Sequence, residues 1–538
     1  MQPEQVLIQE RGYLLRDFDF KNQAKNIKRW SERNGESLTD KDLQIRMINN
    51  IAGNFTREGG RPNFSMQAGG NMEISETSNP HFIFPQMYYY RNHLRSNRWP
   101  VANMVLEAYL KSQSNDMGNT WMRNMTGMSE DEMASLALQD RSLENLLNDK
   151  EQRKLADNLV KLKGDVLFTT IQSNAGEAEF SAMLRNLLQE NQFDIIKFTD
   201  FDSILAAQYN ISLTPIMNDW FSEVKLPGYL FSSITAVNTK AGDQISTMVS
   251  FSASNTSTVD GVVKLSFRQG GPGGGGRGRM MGGPGADNSI NKILSLKAGE
   301  TKKISYLFDS EPRGLTINTL ASRNIPQSIM QFFGRIEEDL KAVPIEGEFL
   351  TDTPVSTLQP NEIVVDNEDP EFEHSVADNT SLLHKWIIKE EETGLKYKGM
   401  NSWRPPLDWT LTTNSDFYGL YVRSAYFIKS GTGDQTATWN LPVEETGYYD
   451  VYTYIAQSAT RGGGFGPGRR GGGDEKGEYL YVIHHTDGET DQSLQINNAE
   501  NGWNLLGSFY LGPGSKIVLS NKTELRTVVA DAIKLVKL

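Results

Sequence analysis

The side chains best suited to ligand chemistry in this sequence are aromatic and lie in one short segment of its last third. Trp403, Trp409 and Tyr418 are accompanied there by Arg404 and Asp408. Flat aromatic faces stack on the apolar faces of sugar rings, and planar polar groups orient the sugar hydroxyls, so this group predicts a ligand-binding platform for a glycan. The same side chains are also typical of a hydrophobic cluster that anchors a long loop, and we favour that second interpretation.

The histidines indicate no catalytic site. His484 and His485 are adjacent in a predicted strand, so their side chains point to opposite faces and cannot jointly hold one metal ion. We expect one of the two to be packed with its hydrogen bonds satisfied, and we name His485 as the one that could contact a ligand. Zinc hydrolases need two histidines one helical turn apart and a glutamate base, and the sequence contains no H-E-x-x-H. We therefore assign no catalytic residue.

One acidic segment is a candidate cation site. Asp366, Glu368 and Asp369 alternate as in a calcium loop, and hard cations prefer several oxygen ligands. Pro370 follows them and favours an ordinary acidic turn, so we predict no metal and no cofactor and keep calcium as the alternative. Asp531 lies among apolar residues in a terminal strand, where its carboxylate must be paired, and we expect it to hold a loop in place.

Composition and charge exclude several classes of protein. The 538 residues provide for three to four domains, and 38% of them are hydrophobic, which excludes global disorder. The net charge of −13 argues against a nucleic-acid partner, because such proteins neutralise phosphates with a basic face. The absence of cysteine removes disulfides, thiolate metal sites and cysteine nucleophiles.

Two segments rich in glycine and arginine stand apart, at residues 270–285 and 461–473. Arginines between glycines can wrap an anionic backbone, which would make these segments arms for RNA, phosphate or anionic glycan. A long flexible loop between two strands also explains them, and we favour the loop because so few arginines on a net acidic protein attract a polyanion only weakly.

The sequence has no membrane-spanning or secretory signal. No stretch approaches the roughly 18 consecutive apolar residues that a spanning helix needs, and the first residues lack the basic and apolar regions of a secretory signal. We expect a soluble protein or the soluble part of a longer one.

The hydrophobic period changes from 3.6 to 2 near residue 228, and this change sets the predicted domains. We predict a multidomain α+β protein, in which an all-α helical array precedes a β-sandwich and a C-terminal β-sandwich or jelly roll. The predicted parts are an unassigned N-terminal segment (1–82), a helical wing (83–228), a β-sandwich (229–350), a linker (351–360) and a C-terminal β-domain (361–538).

Helix signals are specific enough in the wing to predict individual elements. One apolar stripe predicts a helix with one buried face, and its members are Phe180, Met183, Leu184, Leu187 and Leu188. Thr199 to Asp202 fits a capping box that begins the next helix, and Thr214 before Pro215 fits an N-cap followed by proline at the first helical position.

The wing resembles the end of the catalytic domain of gluzincin aminopeptidases. The resemblance rests on K-G-D-V-L-F at 163–168, the apolar stripe, L-T-P-I-M-N-D-W-F at 213–221 and L-P-G-Y at 226–229. It covers about residues 155–350 and implies a helical array that leads into a β-sandwich. The family's zinc chemistry does not carry over, because the zinc motif is missing and Lys161 stands where the family has its transition-state tyrosine.

The last domain resembles the golvesin C-terminal or xanthan-lyase-type domain. Six motifs follow the family order, at 364–372, 437–442, 447–452, 481–485, 502–509 and 528–534. The resemblance implies a β-sandwich or jelly roll of the kind appended to secreted and envelope proteins and regarded as carbohydrate-binding. Trp439 and Trp503 occupy matched strand positions with apolar neighbours, and we expect both in the core.

Together these resemblances predict a non-catalytic bacterial envelope protein whose C-terminal β-domain binds a polysaccharide or another envelope component. The arrangement of domains also resembles the soluble portion of large bacterial membrane proteins fused to exporter-type permeases. A second hypothesis is therefore a protein-interaction or assembly module with a membrane transport partner. A third is a fragment of a zinc aminopeptidase that lacks its metal site.

Overall fold

A computed structural model describes most of the chain from residue 93 onward. The described residues are 24, 27, 28, 31, 38–47, 93–112, 130–191, 194–241, 244–269, 289–356, 358–375, 396–398, 405–457 and 477–538. Both glycine/arginine-rich segments, most of the predicted segment 1–82, and Trp403 and Arg404 lie outside them. The chain divides into two compact units, one of residues 1–116, 140–224 and 276–287, the other of residues 117–139, 225–275 and 288–538.

The described part of the region before residue 225 is almost entirely helical. Its main helices are α1 (Ala102–Ser112), α2 (Glu130–Asp140), α3 (Leu143–Asn148), α4 (Ala156–Ala175), α5 (Glu177–Glu190), α6 (Phe198–Tyr209) and α7 (Thr214–Ser222), with a 3₁₀ turn at Glu151–Leu155. One element was not predicted there, a short parallel pair of strands β1 (His93–Arg95) and β2 (Ile195–Lys197). The apolar stripe forms the buried face of α5, as predicted.

Two of the motifs behind the aminopeptidase resemblance, at 163–168 and 213–221, meet each other within the first unit. The Trp220 indole on α7 donates a hydrogen bond to the backbone carbonyl of Lys163 on α4 at 3.0 Å. The Lys163 ammonium is 5.5 Å from the centre of the same ring. Gly164 lies against Val105 of α1, where a Cβ would come within 3.1 Å of the valine side chain. These motif residues therefore serve helix packing.

The predicted capping box is wrong in its detail. Lys197 is the N-cap of α6 and makes no side-chain capping bond. The Asp202 carboxylate turns instead to the start of the next helix, where it accepts a hydrogen bond from the Leu213 amide at 2.6 Å and another from the Thr214 hydroxyl. The predicted N-cap at Thr214 is also wrong, because Thr214 is the first residue of α7 and Leu213 is its N-cap.

The second unit contains a β-sandwich between residues 229 and 350. Its strands are β3 (Tyr229–Phe231), β4 (Thr235–Ala241), β5 (Gln244–Asn255), β6 (Gly261–Gln269), β7 (Ser289–Leu296), β8 (Thr301–Phe308), β9 (Pro312–Asn318), β10 (Ser328–Phe332), β11 (Glu337–Glu338) and β12 (Gly347–Leu350). One sheet has the order β10-β9-β6-β7, and the other has the order β11-β4-β5-β8-β12 with β3 paired to β5. Alternating side chains of both sheets fill one core, as the period of 2 predicts.

Twelve further strands lie in the described residues of the C-terminal β-domain. They are β13 (Glu362–Val365), β14 (Phe372–His374), β15 (Thr410–Thr413), β16 (Ser424–Lys429), β17 (Thr436–Asn440), β18 (Gly447–Ile455), β19 (Glu478–His485), β20 (Gly488–Gln495), β21 (Gly502–Leu511), β22 (Lys516–Ser520), β23 (Thr527–Ala530) and β24 (Ile533–Lys537). We call the sheet β13-β24-β18-β21 sheet A and the sheet β14-β17-β22-β19-β20 sheet B; β15-β16-β23 forms a third, smaller sheet. Side chains from all three sheets share one hydrophobic core.

The predicted fold class is confirmed: the chain is a multidomain α+β protein with β-sandwich domains. Both β-regions belong to one compact unit, and the finer division at 351–360 stays a prediction. None of the helices in the described part of the chain combines the length and apolar character that crossing a bilayer requires.

Candidate functional site

Sheet A presents one side to the core and the other away from it. Because successive side chains of a strand point to opposite sides, β18 alternates between buried and more exposed residues. The residues that point away from the core are Tyr448, Asp450, Tyr452 and Tyr454. We call this side of sheet A the outer face.

Three aromatic rings meet at one end of the outer face. Trp503 of β21 lies opposite Tyr454 of β18 in the strand register, with ring centroids 5.0 Å apart and an interplanar angle of 85°. Tyr418, from the loop between β15 and β16, is 5.1 Å from Trp503 and 5.6 Å from Tyr454. All three side chains are partly exposed. We call these residues the Trp503 cluster; its rings contact one another in the edge and tilted arrangements that aromatic pairs favour.

A lysine lies beside the Trp503 cluster in the middle of the outer face. The Lys534 ammonium is 5.1 Å from the centre of the Trp503 ring and 5.2 Å from that of Tyr452. It also forms an ion pair with Glu362 of the neighbouring strand β13 at 3.1 Å. Both side chains of this pair are 16% exposed, and the Glu362 carboxylate neutralises the positive charge of Lys534.

Asp531 holds the Tyr418 loop in place. This buried carboxylate, 2% exposed, accepts a hydrogen bond from the Tyr418 amide at 3.2 Å, as the sequence predicted for a loop-fixing role. Its other oxygen accepts no hydrogen bond from the residues that the structure describes, while its backbone carbonyl accepts the Trp439 indole at 3.2 Å. Gly419 follows Tyr418 with φ of +146°, and a Cβ there would lie 1.9 Å from the Val422 carbonyl oxygen. The loop can therefore turn here only at glycine.

The two carboxyl groups under this loop, those of Asp531 and Asp366, have raised pKa values. Burial raises the pKa of Asp531 well above its ordinary value, and the nearby Asp366 raises it further. Burial also raises the pKa of Asp366, to about 8, with smaller contributions from Asp369 and Glu368. Because β13 ends opposite the start of β24, the chain itself brings Asp366 next to the segment that carries Asp531.

The acidic segment proposed as a calcium loop uses its oxygens for protein donors. Asp369 accepts the Asp366 amide at 2.8 Å. Glu368 accepts the Tyr397 hydroxyl at 2.6 Å, the Ser424 hydroxyl at 2.8 Å and the Lys396 ammonium. Burial alone would raise the pKa of Glu368, but these hydrogen bonds outweigh it and lower the pKa. Within the described ranges, no three acidic, histidine or cysteine side chains converge in a way that would hold a metal ion.

The structure separates the residues predicted to bind a ligand. Trp409 is 6% exposed and belongs to the hydrophobic core, a position that fits the anchoring interpretation and leaves little of its ring accessible to a ligand. Tyr418 is the one described member of the predicted group on the outer face. His485 ends a strand of sheet B, where its Nε2 lies 2.9 Å from the Thr490 hydroxyl. His484 pairs with Glu489 at 2.8 Å, so both imidazoles have partners.

Two of the three members of the Trp503 cluster were missed. Trp439 is in the core at 1% exposure, as predicted, but the same prediction for Trp503 is wrong because its ring lies on the outer face. The sequence of β18, G-Y-Y-D-V-Y-T-Y-I, could have indicated aromatic residues on the outer face, because Tyr452 and Tyr454 share the side of the strand that carries Asp450.

In the comparison with known proteins, the last part of the chain matches a family model. Residues 469–537 match the family model of the Golvesin C-terminal domain, and this segment includes β19 to β24 and therefore Trp503 and Lys534. No curated protein matches the chain.

Several solved structures show limited similarity. They include a Paenibacillus xanthan lyase (17% identity, TM-score 0.21, 58% of this chain and 26% of that one). A Podospora anserina GH26-CBM35 β-(1,4)-mannanase has 14% identity and TM-score 0.16, with 25% of this chain and 27% of that one covered. A Legionella pneumophila aminopeptidase A has 13% identity and TM-score 0.21, with 44% and 25% covered. The chain thus spans about a quarter of each of these proteins, and the low TM-scores support no functional conclusion. The family match alone confirms the predicted resemblance to golvesin C-terminal domains, over residues 469–537 of the C-terminal β-domain.

Proposed function

We propose that this chain is a non-catalytic protein of the cell envelope and that its C-terminal β-domain binds polysaccharide through the outer face of sheet A. The observation that carries the proposal is the Trp503 cluster. Its three aromatic rings are partly exposed and are positioned by a sheet and by a hydrogen-bonded loop. Rings held in this way can stack on sugars without losing conformational freedom.

A sugar site also needs polar groups that bind the sugar hydroxyls, and such groups lie beside the rings. Asp450 and Ser508 lie opposite each other on β18 and β21 and are hydrogen-bonded to each other. Together with the ion-paired Lys534 and Glu362, they provide donors and acceptors for hydroxyl groups. The golvesin match supports the same conclusion and the envelope location, because this domain type is appended to secreted and envelope proteins.

The test is a glycan array followed by calorimetry on the intact chain. Trp503→Ala should weaken polysaccharide binding at least tenfold, equivalent to about 1.4 kcal/mol, because the variant loses its stacking surface. Phe349→Ala is the matched control, since Phe349 is an aromatic residue of the β-sandwich that is 47% exposed and lies outside the C-terminal β-domain. Its affinity should equal that of the wild type.

The outcome also separates this proposal from the hypothesis of an assembly module. Binding of no polysaccharide by a folded sample would contradict the proposal, as would equal affinities for wild type and Trp503→Ala. Capture of a defined protein partner through the C-terminal β-domain, unaffected by added sugars, would favour the assembly module. A membrane transport partner stays a prediction.

A further inference from the structure

A second aromatic pair lies at the opposite end of the outer face. Tyr448 of β18 is directly opposite Tyr510 of β21, with ring centroids 5.1 Å apart and an interplanar angle of 59°. Tyr448 is 60% exposed, more than any member of the Trp503 cluster. An exposed aromatic pair in this position contributes little to the core, which leaves its faces available for contacts with a ligand.

The two aromatic groups are too far apart to contact the same sugar. Tyr448 and Tyr454 are separated by six positions of one strand, which at about 3.3 Å per residue is roughly 20 Å. Between them the outer face carries Tyr452 and Leu505, then Asp450 and Ser508. The face therefore alternates aromatic, polar and aromatic groups along the direction of the strands. This pattern fits a linear ligand better than a compact one.

The charges of these four strands disfavour an acidic ligand. Their basic residues are Lys534, which is paired with Glu362 at 3.1 Å, and Lys537, which is paired with Glu445. Asp450 adds a carboxylate in the middle of the face. Lys537 is opposite the core-facing Tyr449. A carboxylate or sulfate on a sugar bound at the outer face would therefore have to displace Glu362 from Lys534 and would also be repelled by Asp450.

We propose that the outer face binds an extended, neutral polysaccharide chain that runs along β18 and β21 from the Trp503 cluster to the Tyr448–Tyr510 pair. This inference rests on the proposed function and adds the length and the charge of the ligand. The pair at Tyr448 is then a distal subsite, which only a ligand of several sugars reaches.

The experiment is calorimetry with linear oligosaccharides of increasing length. The neutral probes are cello-, manno- and malto-oligosaccharides from the disaccharide to the octasaccharide, and the acidic probe is an oligogalacturonate series. The variants are Tyr448→Ala and Trp503→Ala, with Tyr448→Phe as the conservative variant and Phe349→Ala as the off-face control. Thermal unfolding establishes that each variant is folded.

We expect affinity of the wild type for one neutral series to rise with length until both aromatic groups are spanned. Tyr448→Ala should lose about tenfold in affinity for the longest chains and leave the disaccharide unchanged, whereas Trp503→Ala should weaken every length. Tyr448→Phe should behave as the wild type, because it keeps the ring.

Three outcomes would overturn the inference and leave the proposed function standing. These are equal affinities of wild type and Tyr448→Ala at every length, an affinity that does not depend on length, and tighter binding of the acidic series than of the neutral ones. Binding of no glycan of any kind would instead contradict the proposed function itself.

Discussion

The ring of Tyr421 lies against the guanidinium group of Arg323, 4.4 Å from its central carbon, and so joins the two β-regions of the second unit. The backbone reinforces this contact. The Ile325 amide donates to the Tyr421 carbonyl at 2.9 Å, and the Arg423 amide donates to the Ile325 carbonyl at 2.7 Å. Tyr421 is three residues after Tyr418, so one loop contributes both to the Trp503 cluster and to the junction with the β-sandwich.

Replacing Tyr421 should loosen this junction. Tyr421→Ala removes the cation–π contact and the hydrogen bond between the Tyr421 and Thr256 hydroxyls, and we expect a loss of about 1–2 kcal/mol in the free energy of unfolding. Urea unfolding and limited proteolysis around residues 351–360 would measure it. Tyr421→Phe keeps the ring and should recover most of the loss. Unchanged unfolding of Tyr421→Ala would show that the backbone bonds alone hold the junction.

Stability of the C-terminal β-domain should fall as the pH rises from about 4 to about 8. Asp366 has an ordinary pKa of 3.8 in the unfolded chain and about 8 in the folded one, chiefly because it is buried. The folded state therefore binds the extra proton in this range. The stabilisation is complete below 3.8 and is lost as the pH rises through about 8, by at most about 1.4 kcal/mol per pH unit.

Asp366→Asn tests this directly, because the amide cannot ionise and still offers an oxygen to the Asn367 amide. The variant should show a flatter dependence of urea midpoint on pH and greater stability than the wild type near pH 8. Parallel pH curves for the two proteins would mean that Asp366 does not carry the effect.

The buried charge of Lys163 should destabilise the first unit near neutral pH. Its side chain is buried, and burial lowers its pKa from 10.5 to about 8. The unfolded state therefore binds more protons between about 8 and 10.5, so wild-type stability rises with pH in this window. Lys163→Met keeps the length of the side chain without the charge and should be more stable by about 1–3 kcal/mol near neutral pH.

The gain of Lys163→Met should shrink as the pH approaches 10.5, which calorimetric unfolding at several pH values would show. Lys161→Met is a useful comparison, since Lys161 is a less buried lysine of the same helix. A gain that stays constant with pH would indicate better packing and not removal of a charge.

Glu368 should stabilise the domain as a hydrogen-bond acceptor and not as a calcium ligand. Glu368→Ala leaves the Tyr397 and Ser424 hydroxyls without their acceptor, and we expect a loss of about 2–3 kcal/mol. Added calcium or a chelator should leave the melting temperature of the wild type unchanged, because the carboxylate oxygens already accept protein donors. A calcium-dependent rise in melting temperature that Glu368→Ala abolishes would favour the calcium loop.

Much of the fold could be predicted from local pattern. The stripe from Phe180 to Leu188 became the buried face of α5, and the period of 2 after residue 228 became two β-regions. Capping was predicted less well, because the Asp202 carboxylate accepts hydrogen bonds from the start of α7 and the predicted box places it at the start of α6. The choice between them depends on how α6 and α7 meet, which spacing in the sequence does not contain.

The sequence by itself determined which segments alternate between polar and apolar residues and where the golvesin motifs lie, because these are properties of neighbouring residues. Only the tertiary structure decided that Trp439 lies in the core and Trp503 on the outer face. Each tryptophan is followed by an asparagine in its strand, T-A-T-W-N for Trp439 and G-W-N-L-L for Trp503, so hydrophobicity alone does not tell which side meets the other sheet. The Trp503 cluster likewise joins a loop, β18 and β21, and these segments meet through strand pairing and the bond from Tyr418 to Asp531, neither of which is a local property of the chain.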